Sequence, residues 1–335
     1  ARKAVWETAI IATEGMLAVG NGKVVSVDPA PGGKQRFTFE KTPSMSSYLL
    51  FFGAGEFDRI TDTAEGVELG IVARKGVAEN GRYALDESKR MVAYYNDYFG
   101  VDYPMPKLDQ IAVPGAGGFG AMENWGAILY FEPYLILDPA TATSSDKQNV
   151  FGIVAHEIAH QWFGNIVTMA WWDDLWLNEG YASWMATKIE DDLHPQWNPW
   201  LKSAFSREGA MSQDAVISTH PIVTPVKNAQ EATLSFDAIT YLKGEAVIRM
   251  IEAFVGEDDF REGVRAYMKK HAYGNARTED LWAALEAASD APVVPVNALK
   301  RTQSGDRLYI ALFQPIGASN FWAGNIKKYG IDQNK

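Results

Sequence analysis

The sequence predicts an α+β protein. Strand signals dominate to about residue 130, helical periodicity takes over after Ser144, and a two-histidine motif, HEIAH at positions 156–160, sits at the seam.

Residues 5–19 alternate loosely between apolar and polar. Asn21-Gly22 reads as a two-residue hairpin turn with residues 23–27 as its return strand. Pro31-Gly32-Gly33 turns the chain into a strand at 35–40, and 47–52 reads as another. So few strands leave edges exposed, and residues 1–52 therefore read as the end of an N-terminal β domain. Beyond them come a strand at 67–73, an amphipathic helix at 85–99 stopped by Gly100, and a strand at 108–113. A glycine-rich loop at 114–120 and an extended stretch at 127–130 follow. Helices are expected at 146–163, 174–191, about 236–254, 257–270 and 278–288. Residues 53–290 thus make one domain, a small mixed sheet followed by a mainly helical part. Residues 291–335 read as a Pro-rich polar linker and an unassigned aromatic tail.

Composition removes several functional classes. The 335 residues are 47% apolar with no run of about 18 apolar residues, so a soluble protein without a membrane span is expected. A net charge of −11 argues against nucleic acid as a partner. The absence of cysteine excludes a disulfide framework, a thiolate metal site and a cysteine nucleophile. The chain starts at Ala1 without a signal sequence, which suggests a processed form or a fragment. Cytoplasmic and exported locations both fit, and the oligomeric state is left open.

HEIAH carries the chemistry. On a helix His156 and His160 project about 40° apart, one turn above the other, and so present two imidazoles on one face. Glu157 stands between them with reach to a water at the same point. The helix is expected to run through 161–163 to Gly164, a natural stop. Asp173-Asp174 then read as N-cap and first-turn acids of a second helix, with Glu179 in its second turn. An antiparallel return would bring Glu179 to the histidines. His, His, Glu and one open position describe a catalytic zinc site, one Zn2+ per chain. HExxH also occurs in ordinary buried helices; the acid nineteen positions past the second histidine makes that reading the weaker one. Five tryptophans lie between 162 and 184, and packed core explains them better than a pocket wall.

Upstream, Gly120-Ala121-Met122-Glu123-Asn124-Trp125 follows the glycine loop. Bare backbone at Gly118, Gly120 and Ala121 would let a peptide pair edge-on, and Glu123 would offer a carboxylate to an ammonium group. Alone, this loop is only a turn with one acid.

Together, HEIAH with an 18-residue gap to Glu179 and GAMEN about thirty residues before it resemble the aminopeptidase N family of zinc metallopeptidases, which are gluzincins. Tyr241-Leu242-Lys243-Gly244 is similar to that family's third mark. The resemblance covers 53–290 and implies a thermolysin-like catalytic fold, with 1–52 as the tail of the family's N-terminal β domain. It implies that His156, His160 and Glu179 bind zinc and that Glu157 is the general base. It further implies that Tyr241 donates to the oxyanion and that Glu123 holds the free amine of a peptide substrate. Phe119, with Gly120, Ala121 and Met122, is implied to line the substrate site, and Ser183, one turn beyond Glu179, can equally support a ligand or face solvent or core. It also implies truncation, since most of the N-terminal domain and the domains that follow in the family are not matched.

The resulting expectation is a zinc aminopeptidase acting on peptides with a neutral or basic first residue. Glu123 argues against an endopeptidase, and Ala121 against the epoxide hydrolase branch, which usually has glycine there. An inactive peptide-binding fragment is the alternative.

Overall fold

The computed structural model describes residues 2–115 and 120–289. The expected linker and tail at 291–335, like Phe119, lie outside them. Among the described residues the order is strands first and helices after, a mixed α+β architecture.

The N-terminal strands are β1 (Lys3–Ala4), β2 (Ala9–Thr13), β3 (Leu17–Gly20), β4 (Val24–Ala30), β5 (Lys34–Phe39), β6 (Met45–Ser46) and β7 (Phe52–Gly55). They form three small antiparallel sheets: β2-β5-β4, β3-β7 and β1-β6. Next come β8 (Phe57–Ala64), β9 (Val67–Arg74), α1 (Arg82–Phe99), β10 (Lys107–Val113), β11 (Ala121–Met122) and β12 (Ala127–Phe131). These strands form a five-stranded sheet in the order β11-β12-β10-β9-β8. The three central strands are parallel and the two edges antiparallel. Parallel neighbours need a crossover, and α1 supplies it between β9 and β10. Leu69, Ile71, Leu108 and Ile128 are fully buried, which suits apolar strands in the middle of a sheet.

The helical part comprises α2 (Ser144–Ala159), β13 (Thr168–Met169), α3 (Trp176–Leu193), α4 (Pro199–Asp214), α5 (Ala229–Ala232), α6 (Gly244–Val255), α7 (Glu257–His271), β14 (Asn275–Ala276) and α8 (Thr278–Ala288). Thr143 opens α2 with a full capping box to Asp146. Aromatic rings fill the space between α1, α2, α3 and α7: Tyr95, Phe99, Trp162, Phe163, Tyr181 and Tyr267 are all buried and in mutual contact. Trp162, Trp176 and Trp184 are core, as expected, while Trp171 is 41% exposed. No helix among the described residues is long and apolar enough to cross a membrane.

Several expectations need correction. Asn21-Gly22 is not a hairpin turn: β3 pairs with β7, and β4 with β5. The Asn21 amide is spent elsewhere, donating to Leu49 O at 2.9 Å and Trp125 O at 2.8 Å and accepting from Phe51 N–H at 2.9 Å. Residues 47–49 form a 3-10 turn, and the strand begins only at Phe52. Strand β8 and helix α4 are additional to the expected elements. α2 ends at Ala159 with His160 as its C-cap, one turn earlier than expected. Asp173 and Asp174 lie in a 3-10 turn before α3, where they bond Val226 N–H and the Thr278 hydroxyl instead of capping. Glu179 therefore falls in the first turn of α3.

The Asn21 side chain ties three chain segments and is fully buried. Asn21→Ala leaves two carbonyls and one N–H without partners, and a loss on the order of 3 kcal/mol is expected. Denaturant midpoints measure it; a loss below about 1 kcal/mol would show that these groups find other partners.

Candidate active site

Helices α2 and α3 pack against each other and bring the three expected ligands together. His156 Nε2 and His160 Nε2 are 3.0 Å apart, and Glu179 Oε2 lies 3.2 Å from His160 Nε2 and 3.4 Å from His156 Nε2. Tetrahedral ligand atoms at about 2.0–2.1 Å from one ion are separated by about 3.3 Å, so these spacings fit a common metal. The trio is the one group of three or more His, Cys, Asp or Glu among the described residues with ligand atoms this close.

The far nitrogens are fixed by their partners. His160 Nδ1 lies 3.0 Å from the Phe163 carbonyl, which can only accept, so Nδ1–H donates and the ring's lone pair, once it is neutral, falls on Nε2. The Ser183 hydroxyl donates to Glu179 O at 2.8 Å, leaving Oγ to receive His156 Nδ1–H in a long 3.5 Å contact.

The electrostatics favour a cation. Burial opposes charge on His160, but the carboxylates of Glu179, Glu123 and Glu157 outweigh it and hold the imidazole up at about 10. Burial lowers His156, and the neighbouring His160 charge adds to that. Burial would raise Glu179, yet the two imidazoles hold it well below the usual carboxylate range. Glu157, also buried, is pushed well above the usual range by desolvation, with Glu123 and Glu179 adding to it. Its Oε2 has no hydrogen-bond partner among the described residues. A buried oxygen of that kind, beside three converging ligand atoms, is what a water or substrate group would satisfy.

GAMEN is pinned to the histidine segment by side chains that the sequence did not single out. The Gln161 amide donates to Glu123 O and accepts from Gly126 N–H, both at 3.3 Å, and Asn165 donates to Glu123 O at 2.9 Å. Both amides follow HEIAH directly, but nothing in their spacing announces a partner forty residues upstream. Glu123 is buried at the end of β11, and desolvation together with Glu179 raises its pKa. Gly120 O accepts from Phe131 N–H at 3.3 Å, while Ala121 and Met122 pair with Tyr130 and Leu129. β11 is an edge strand of the sheet. Phe119 lies outside the described residues.

Tyr241 lies in a π-helical turn, Ile239–Lys243, with its ring 6.0 Å from that of His156. Such turns often mark functional positions in helices. Burial, with Glu179, Glu123 and Glu157 nearby, raises its pKa, so the phenol keeps its proton. Tyr48 is a further residue at the site, placed there by the turn that replaces the expected strand. Its hydroxyl receives Asn178 Nδ2–H at 3.4 Å and donates to Gly164 O at 3.5 Å, with the Glu123 carboxyl close by.

The proton on His160 must leave before Nε2 can bind a metal. Metal affinity should therefore fall about tenfold between about pH 8 and about pH 7, as read by competition with a chromophoric chelator. A pH-independent affinity would show that His160 is already neutral over this range, and Glu179→Ala should lose the metal altogether.

The family model described as Peptidase family M1 domain matches residues 83–301. Among curated relatives, the probable aminopeptidase 2 of Sulfurisphaera tokodaii is 44% identical over 78% of this chain and 33% of its own length. Aminopeptidase M1-C of Oryza sativa subsp. japonica is 42% identical over 84% of this chain and 32% of its own. The leucyl aminopeptidase of Saccharolobus solfataricus is 39% identical over 91% of this chain and 39% of its own. The chain thus spans about a third of the length of these relatives.

Proposed function

The chain belongs to peptidase family M1, and from that premise we propose that it is the catalytic part of a zinc aminopeptidase, removing the N-terminal residue from peptides. The observation that carries this reading is a second buried carboxylate, Glu123, held by its own backbone beside the His156–His160–Glu179 trio. The proposal extends to a thermolysin-like catalytic domain over residues 53–290, preceded by the end of a β domain at 1–52.

Two imidazoles and a carboxylate without a thiol suit Zn2+. When bound, zinc supplies Lewis acidity, polarising the scissile carbonyl and acidifying water. The remaining work falls to side chains. Glu157, whose desolvated carboxyl is poised to exchange a proton, takes one from the attacking water and returns it to the leaving amine. Tyr241, protonated at neutral pH, donates to the oxygen where negative charge develops. Glu123 pairs with the substrate ammonium in a partly dehydrated position and so sets the cut one residue from the end. β11, an edge strand, offers backbone groups to an extended peptide. The three relatives named above are aminopeptidases, which supports the same reaction.

Glu157→Gln keeps the shape and removes the base. Turnover of an aminoacyl-amide substrate should fall at least ~10²-fold with metal content unchanged. Near-normal turnover would assign the proton transfer to another group.

Acetylating a peptide's N-terminus removes the charge that Glu123 is proposed to bind. Cleavage of the blocked peptide should fall below detection, and Glu123→Ala should narrow the gap between free and blocked substrates. Equal cleavage of both by the unaltered chain would sink the aminopeptidase reading.

A further inference from the structure

The turn that carries Tyr241 is tied down by a polar assembly that takes no part in metal binding. Asp237 Oδ1 receives the N–H of Ile239 at 2.9 Å and of Thr240 at 3.2 Å, and its backbone oxygen receives the N–H of Tyr241 at 3.1 Å. Three successive amides at the head of the π-turn thus end on one residue. Asp237 Oδ2 points the other way, to His220 Nε2 at 2.8 Å and Gln213 Nε2 at 3.1 Å. His220 is held in turn through Nδ1, 2.8 Å from Pro221 O and 3.1 Å from the Thr224 hydroxyl. At the far end of the turn Lys243 Nζ donates to Asp214 at 2.8 Å, and Asp214 also receives the Thr219 hydroxyl. Both ends of the turn are therefore strapped to the segment that runs from the end of α4 through His220.

A π-turn is a wider and rarer arrangement than an α-turn, and it persists only where its surroundings specify it. An α-helical turn would also rotate Tyr241 away from its present place, because the angle per residue differs. We propose that Asp237, backed by His220 and Gln213, is a positioning residue for Tyr241: by fixing the first amides of the π-turn it sets where the phenol stands beside His156. This rests on the reading of Tyr241 as the oxyanion donor and adds to it the means by which the donor is aimed. A simple helix cap would contribute stability alone. A positioning residue acts through Tyr241, and the two cases separate in a double-mutant cycle.

The experiment combines Asp237→Ala with Tyr241→Phe in the full chain and follows kcat, KM and metal content on an aminoacyl-amide substrate. Alone, Asp237→Ala should lower kcat about tenfold or more with KM and metal content nearly unchanged, since the misplaced hydroxyl is felt in the transition state. In the Tyr241→Phe background the same change should cost little further. Asp237→Asn, which keeps an acceptor for the Ile239 and Thr240 amides, should restore most of kcat. Equal fold losses in both backgrounds, or a loss confined to KM, would overturn the proposal. Hydrogen exchange at residues 239–241 gives an independent readout: it should quicken in Asp237→Ala while residues 156–160 stay protected, and unchanged exchange would also overturn it. If Tyr241→Phe alone left kcat unaltered, the donor role would fall by itself, and the exchange at 239–241 would decide for or against the strap.

Discussion

The helices around the site are set by one backbone contact, Gly180 on α3 against Gly244 at the head of α6. A Cβ on Gly180 would come within 2.8 Å of Gly244 Cα, and one on Gly244 within 3.0 Å of Gly180 Cα. No side chain fits between them, so two rigid segments meet at backbone distance. Glu179 immediately precedes Gly180, and Tyr241 lies three residues before Gly244. The contact therefore brings the Glu179 carboxylate and the Tyr241 phenol close enough for Glu179 to raise the phenol's pKa. Any larger residue at either position would separate the proposed metal ligand from the group proposed to face the substrate carbonyl.

Three buried carboxyls share this space, and their environments drive them apart. Burial disfavours charge on all of them. Glu179 overcomes burial because both imidazoles bear on it directly. For Glu157 the charge of His160 is outweighed by desolvation and by Glu123 and Glu179. Neighbouring acids with opposite shifts suit different tasks, a fixed charged ligand in one case and a proton carrier in the other. A dication at the meeting point of the ligand atoms would draw Glu157 down from its raised value towards neutrality, where an acid–base group is most effective.

The metal trio is legible in the sequence because helical spacing fixes the relation of His156 to His160 whatever the rest of the chain does. Glu179 is legible by its distance alone, and its exact turn is not, since Asp174 binds Thr278, a residue 104 positions away. Polar side chains used over long range account for most of the other differences. Asn21-Gly22 carries the chemistry of a hairpin, but its amide serves partners 28 and 104 positions away. α4 escapes a periodicity reading because Leu201 and Phe205 stay exposed, at 60% and 66%, so no clean apolar stripe marks its buried side. β8 is hidden by Asp58, Arg59 and Asp62 among its apolar positions; Arg59 is consumed by Asp109 and Glu68. Asp237 looks like any helix-initiating acid until the π-turn is seen.

The first fifty residues are bound to the candidate site through groups that have few other ways to be satisfied. Lys107 is buried, and its ammonium is shared among Asp109, Gly126 O at 2.7 Å and Gly20 O at 2.6 Å, the last on β3. Trp125 O, at the end of the GAMENW segment, takes its hydrogen bond from Asn21. Tyr48, close to the Glu123 carboxyl, donates to Gly164 O at 3.5 Å, and its ring packs on Trp172 beside α3. The links through Gly20 and Asn21 join residues before position 52 to the end of the segment that carries Glu123, and Tyr48 joins the loop after the histidines. Without Asn21 the buried Trp125 carbonyl would lack its partner, at a cost of about 1–3 kcal/mol, and without Gly20 the Lys107 ammonium would keep only Asp109 and Gly126 O. The placement of Glu123 is therefore a joint product of the strands that precede the sheet and the amides of Gln161 and Asn165 that follow the histidines.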